Sequence, residues 1–144
     1  MKPVFVDTSA LIALGNKEDI FYHQACRIRL ELVRTKRKFA TTNLVIAELC
    51  NAFSNIRFRS IAISTVESIQ QSVMWNYIVS DRKLMDEGFA LYKKMKDKSW
   101  GMVDCVSIVT AEKFGCNEIF TTDHHFEQAG FRILLKNQNR LQCE

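Results

Sequence analysis

Four carboxylates in this chain stand where an apolar residue is the ordinary choice. Asp7 follows "VFV" and precedes "TSALIAL", and Glu48 is the only charge in "LVIAELC". Asp104 is the only charge in "GMVDCVSIV", and Asp123 closes the run "IFTTD". An ionised carboxylate in apolar surroundings must reach water, a cation or a proton. If such groups converge they also repel one another, by about 4 kcal/mol for two unit charges ~4 Å apart at an effective dielectric of ~20. A multiply charged cation offsets that repulsion. All-oxygen donors select Mg²⁺ or Mn²⁺, ions that keep several waters and pair with phosphates. The matching chemistry is phosphoryl transfer or phosphodiester hydrolysis.

Each acid alone has an ordinary explanation as a helix cap, a core-edge ion pair or a solvent-facing group. The coincidence of two at strand ends and two in otherwise uncharged helical runs does not. Other acids, among them Glu18, Asp19, Asp81 and Glu118, lie in polar company and read as solvated surface. Hydroxyls accompany the four: Thr8 and Ser9 follow Asp7, Ser107 lies one helical turn past Asp104, and Thr121 precedes Asp123 by two. In a strand, that last spacing puts Thr121 and Asp123 on one side. These hydroxyls suit a supporting shell that orients ligands or water, and equally suit caps and turns.

The elements that must position these groups follow from periodicity. Residues 3–7 read as a short buried strand running straight into a helix "TSALIALGN", with Thr8 or Ser9 as its cap and Gly15-Asn16 as its end. Residues 20–37 carry Ile20, Phe21, Ala25, Ile28, Leu32 and Val33 at helical spacing, with arginines and lysines outside that stripe. "KFATT" is a second strand, and Asn43 is placed to cap "LVIAELCNAFSNI", with Ile46, Leu49, Phe53 and Ile56 as its seam. Ser64 to Glu67 spells a capping box that predicts a helix start there, running to about Trp75. "YIVS" is a brief third strand. Residues 81–97 form a helix with an apolar face from Leu84 to Met95, and "GMVDCVSIVTAEKFG" forms another ended by Gly115. "NEIFTTD", a helical turn "HHFEQAG" and "FRILL" complete the chain. Strands alternating with helices predict an α/β fold with a parallel sheet covered on both faces. Ligands in such sheets sit beyond the carboxyl ends of the strands, where Asp7 and Asp123 fall.

Composition limits the alternatives. At 144 residues, 47% hydrophobic and with one proline, the chain reads as a single globular domain spanning 1–144, without linkers or low-complexity segments. Asp7 interrupts the apolar start, which argues against an export signal, and no run reaches the ~18 apolar residues of a membrane helix. Five cysteines, scattered and without a C-x-x-C pair, signal neither a disulfide framework nor a zinc site and fit a reducing cytoplasm. The net charge of +4 permits a polyanionic partner. Arg27, Arg34, Lys36, Arg37 and Lys38, with the lysines from Lys93 and Lys94 to Lys98, are the groups available to guide a polyanion such as a nucleic-acid backbone, although charge runs usually mean a solvated face. Aromatics do not interleave with them in sequence, so base stacking is not expected there.

"VFVDTSALIAL", "TTNLVIAEL", "MVDCVSIV" and "IFTTDHHFEQAGF", in this order across nearly the whole chain, resemble the PIN domain, and more closely the VapC-type toxins of toxin–antitoxin systems. The last motif, with Phe126 and an "AGF" tail, is the most specific. The resemblance implies a three-layer α/β/α sandwich with a mostly parallel sheet, and an acidic site of Asp7, Glu48, Asp104 and Asp123. It further implies a Mg²⁺- or Mn²⁺-dependent endoribonuclease, commonly a homodimer, silenced by a cognate antitoxin whose tail occupies the groove beside the site. Gly101 stands where that family often has serine or threonine, and His124-His125 replaces a frequent basic-then-His pair. His124 reads as a surface histidine in preference to a contact to RNA or metal.

On this reading Asp7, Asp104 and Asp123, with Glu48 directly or through water, hold one or two ions, and RNA is cut to 5′-phosphate and 3′-hydroxyl ends. Two other classes compete. A covalent aspartyl phosphatase would want a second aspartate two residues after Asp7, where Ser9 stands. A catalytically silent PIN-like module that binds RNA or protein would gain nothing from keeping four acids against a polyanion.

Overall fold

The computed structural model describes residues 1–136, so Cys143 and Glu144 lie outside the described residues. Five strands, β1 (Val4–Val6), β2 (Phe39–Thr42), β3 (Trp75–Ile78), β4 (Glu118–Phe120) and β5 (Arg132–Ile133), form one sheet in the order β3-β2-β1-β4-β5. Every pairing is parallel, with Phe5 opposite Ala40 on one side and Ile119 on the other. The central strand β1 is buried along its whole length, as a parallel strand flanked on both faces must be. Leu134 and Leu135 donate to Ile119 and Thr121 and prolong the β4–β5 ladder over the "FRILL" run.

Helices α1 (Thr8–Gly15), α2 (Tyr22–Arg34), α3 (Asn43–Ala52) and α4 (Ile56–Gln71) pack among themselves. Helices α5 (Arg82–Lys94), α6 (Met102–Lys113) and α7 (His125–Gln128) make a second group, so the sandwich has three layers. The α5–α6 contact is close because Gly88 has no Cβ: one built there would stand 2.4 Å from Val106 Cγ2 and 3.1 Å from its Cα. Among the described residues no helix is long and apolar enough to cross a membrane.

Strand order reverses between β1 and β4, the switch point at which such sheets open a crevice. Asp7 follows β1 directly and Asp123 comes three residues after β4. Both therefore flank the crevice.

Several expected boundaries move. The helix over residues 44–56 is two helices, because Asn55 accepts from Phe58 N at 3.0 Å and starts α4 eight residues before the Ser64 capping box. Ser64 and Glu67 lie inside α4, and Ile56, expected in the buried seam, is 96% exposed. Thr42, not Asn43, caps α3, and Asn43 Oδ1 instead accepts from Ser80 N at 2.8 Å, tying α3 to the end of β3. Asp7 occupies the cap position of α1 assigned above to Thr8 or Ser9, without using its carboxylate as a cap. On α2 only Ala25 and Leu32 of the apolar stripe are fully buried, while Ile20, before the helix, and Val33 are exposed.

Candidate active site

The four acids come together. One open cavity of about 650 Å³ is lined by Asp7, Glu48, Asp104 and Asp123, with Thr8, Ser9, Ile12, Asn51 and Thr122 completing the wall. Burial is graded: Asp7 is buried at the floor, the Asp104 and Asp123 side chains are partly exposed, and Glu48 is exposed at the rim.

A chain of hydroxyls fixes the floor. Thr121 Oγ1 donates to Asp7 Oδ2 at 2.8 Å and accepts from Asp123 N at 3.1 Å. Its one proton is thereby committed, so Ser9 Oγ, 2.9 Å away, is the donor of their mutual bond, while Ser9 itself accepts from Thr122 N at 3.0 Å. Thr8 Oγ1 donates to Glu48 Oε1 at 2.6 Å, linking α1 to α3 across the cavity. Asp104 Oδ2 reaches back from the third position of α6 to Gly101 N at 3.1 Å, half of a capping box whose other half glycine has no side chain to supply. Trp100 Nε1 donates to Gln128 Oε1 at 2.9 Å and ties the start of α6 to α7. Ser107, expected in the supporting shell, is fully buried with its hydroxyl unpaired among the described residues, and no hydrogen bond joins it to the acids. Thr121 and Asp123 lie past β4 in a turn, so their pairing is that turn's hydrogen bond and not a shared strand face.

Burial pushes the Asp7 carboxyl up to about 6; the Thr121 hydrogen bond pulls the other way, and Asp104 and Glu48 add like-charge repulsion. Asp104 is likewise raised, first by burial and then by Asp123, against the Gly101 hydrogen bond and the nearby His125 ring. A cation beside the two carboxylates would favour their ionised forms.

Sequence reasoning missed His125. It stands on the first turn of α7 with Nδ1 3.1 Å from Asp123 Oδ1 and 3.5 Å from Asp104 Oδ2, whereas His124, the residue weighed above, is exposed. The two-residue step from Asp123 was its signal. Asn51, one turn past Glu48 on α3, was legible in the same way.

The basic residues divide. Arg37 is largely buried and donates to Lys2 O at 2.8 Å and to Glu118 Oε1 at 2.9 Å. Lys2 precedes β1 and Glu118 opens β4, so Arg37 braces the amino-terminal edge of the sheet, opposite the acids, and Glu118 is its partner rather than a solvated acid. Lys36 is the left-handed residue (φ 59°) closing α2 at that same edge. Arg34 is paired with Glu31 at 2.6 Å, and Arg27 is exposed on α2. None of these lines the acidic cavity. Beside Asp104, however, a groove of about 710 Å³ is lined by Phe89, Tyr92, Lys93, Lys96, Lys98 and Trp100, and runs to Gly101 and Met102. Lys94 lies outside it. Spacings of three and four along α5 bring aromatics and lysines together there, although they are not interleaved in sequence; Phe89 and Tyr92 are each 48% exposed.

A parallel five-stranded sandwich with convergent acids at its switch point defines the class of α/β domains that hold a ligand over the carboxyl ends of their strands. The sequence profile of the PIN domain matches residues 4–132, and the chain belongs to that family. Among solved structures, the sarcin-ricin-loop-cleaving toxin VapC20 of Mycobacterium tuberculosis superposes with a TM-score of 0.77 at 24% identity, over 89% of this chain and 95% of that one. VapBC2 of Rickettsia felis, bound to a DNA fragment from its promoter, gives 0.65 at 17% identity over 90% and 96%. FitAcB of Neisseria gonorrhoeae gives 0.66 at 14% over 91% and 96%. No curated protein matches.

Proposed function

We propose that this chain is a divalent-metal-dependent endoribonuclease, the toxin of a toxin–antitoxin pair. The observation that carries the reading is the convergence of Asp7, Glu48, Asp104 and Asp123 on one open cavity at the switch point of the sheet. The donor set fits the ion: Asp104, Asp123 and His125 each offer an atom within 4.8 Å of the others, and burial leaves Asp7 in need of a positive charge. Asp7, Asp104 and Asp123 would hold Mg²⁺ or Mn²⁺, with Glu48 at the rim. Bound there, the ion supplies Lewis acidity toward a phosphate and an acidified water as nucleophile.

The protein's own contribution is positional. Thr121 and Ser9 hold the Asp7 carboxylate in one rotamer, Thr8 holds Glu48 over the cavity, and Gly101 N fixes Asp104. The open mouth admits a polymer, and the Lys93–Lys96 groove next to Asp104 offers its backbone positive charge on one side. Likeness to VapC20, a sarcin-ricin-loop-cleaving toxin, and to VapBC2 and FitAcB supports RNA as substrate and an antitoxin as partner. Homodimerisation and a cytoplasmic setting belong to the same proposal.

Induced expression in a bacterium tests the biology: growth arrest by the wild type, relieved by Asp7→Asn, is expected, with RNA fragments carrying 5′-phosphates. Arrest undiminished by Asp7→Asn contradicts the reading.

A further inference from the structure

Against two of the cavity's acids, Asp104 and Asp123, stands a nitrogen donor that an all-oxygen site does not need. The His125 Nδ1 atom is buried and, among the described residues, is left without a well-formed hydrogen bond. It lies 3.1 Å from Asp123 Oδ1 and 3.5 Å from Asp104 Oδ2, facing two carboxylate oxygens at once. The ring is held there by its own backbone, since His125 N donates to Asp123 Oδ1 at 2.9 Å, and by Phe126, whose fully buried ring anchors α7.

The separations fit a prepared site. In a near-octahedral shell with bonds of about 2.1 Å, adjacent donors stand ~3.0 Å apart and opposite donors ~4.2 Å. The His125 distances of 3.1 and 3.5 Å match adjacent positions, and the three donor atoms all lie within 4.8 Å of one another.

Resting on the metal-dependent reading above, we propose that His125 Nδ1 is a protein ligand to the divalent ion alongside Asp104 and Asp123, biasing the site toward first-row transition ions such as Mn²⁺ over Mg²⁺. Imidazole is a borderline donor that adds affinity for transition ions, while Mg²⁺ favours oxygen and retains water. His124, exposed one residue earlier, takes no part.

The test is pulsed electron paramagnetic resonance of Mn²⁺ bound to the full chain, with Mn²⁺ and Mg²⁺ affinities measured in parallel. The wild type and His124→Gln are expected to show ¹⁴N hyperfine coupling from a directly bound imidazole. His125→Gln is expected to lose it, with Mn²⁺ affinity falling about tenfold or more and Mg²⁺ affinity changing less. Mn²⁺ bound to the wild type without nitrogen coupling, or coupling retained in His125→Gln, overturns the assignment. If that protein still cleaves RNA, only the His125 ligand fails. If the wild type binds no Mn²⁺ and cuts no RNA, the metal-dependent reading fails with it.

Discussion

Thr121 Oγ1 donates to Asp7 Oδ2 at 2.8 Å, joining the end of β4 to the end of β1 at the one place where the strand order reverses. The same oxygen accepts from Asp123 N at 3.1 Å, so a single hydroxyl orients two of the four acids. Thr121→Val keeps the shape and deletes both functions. Metal affinity should fall about 10–100-fold, the usual effect of removing a group that orients a ligand, with thermal stability changed less. Calorimetric titration with Mn²⁺ measures it; unchanged affinity would make Thr121 a packing residue only.

Asp7 titrates near 6 because it is buried. An acid whose folded pKa exceeds its unfolded value of 3.8 binds its proton more tightly when folded. Stability of the metal-free protein is therefore greatest below pH ~4 on this group's account and declines as pH rises through about 6, by about 3 kcal/mol in total. Asp7→Asn lacks that penalty and should be the more stable protein in EDTA at pH 7.5, by roughly 1–3 kcal/mol in urea unfolding. Mn²⁺ should raise the wild-type Tm more than that of the variant. A less stable Asp7→Asn would show that the buried charge is already compensated.

Gly88 lets α5 approach α6, which carries Asp104. The Cβ of Gly88→Ala meets Val106 backbone as well as side chain, so α6 has to shift. About 1–3 kcal/mol of stability should be lost. Because misplacing a reacting group by ~1 Å costs on the order of 100-fold, RNA cleavage should fall far more than unfolding alone explains. Cleavage rates measured well below the Tm separate the two effects.

The basic residues make opposite predictions. Lys93→Ala with Lys96→Ala should weaken RNA binding and lower the salt dependence of log K by about 1.4, at ~0.7 for each lost phosphate contact. Arg37→Ala should leave that slope unchanged and destabilise the fold by about 1–3 kcal/mol, because it leaves the carbonyl of Lys2 without its donor and Glu118 with only the longer Arg132 contact. Filter binding across a salt series tests both, and a reversed pattern would place the RNA at the other edge of the sheet.

The four acids were legible because isolated charges in apolar runs are conspicuous, and the alternation of strand and helix was legible for the same reason. Strand order was not: nothing local in "PVFVD" or "NEIFTTD" says that β1 and β4 are neighbours. Without that pairing, Arg37 looks like one more surface cation and Glu118 like one more solvated acid. Helix starts misled because Asn55, read as the interior of one helix, caps the next, and the Ser64 capping-box pattern falls inside that helix. His125 was hidden because a histidine gains meaning from the carboxylates around it, and those come from α6 and the turn after β4.

The central claim is that the carboxylate cavity cuts RNA with a divalent ion. Purified protein incubated with structured RNAs should cleave them with Mn²⁺ or Mg²⁺, stop in EDTA and resume when the ion is restored. Asp7→Asn should cleave at least about 100-fold more slowly under the same conditions. Cleavage that persists in EDTA, or an Asp7→Asn protein as fast as the wild type, would contradict the account; RNA bound but uncut by both proteins would mark a silent module instead.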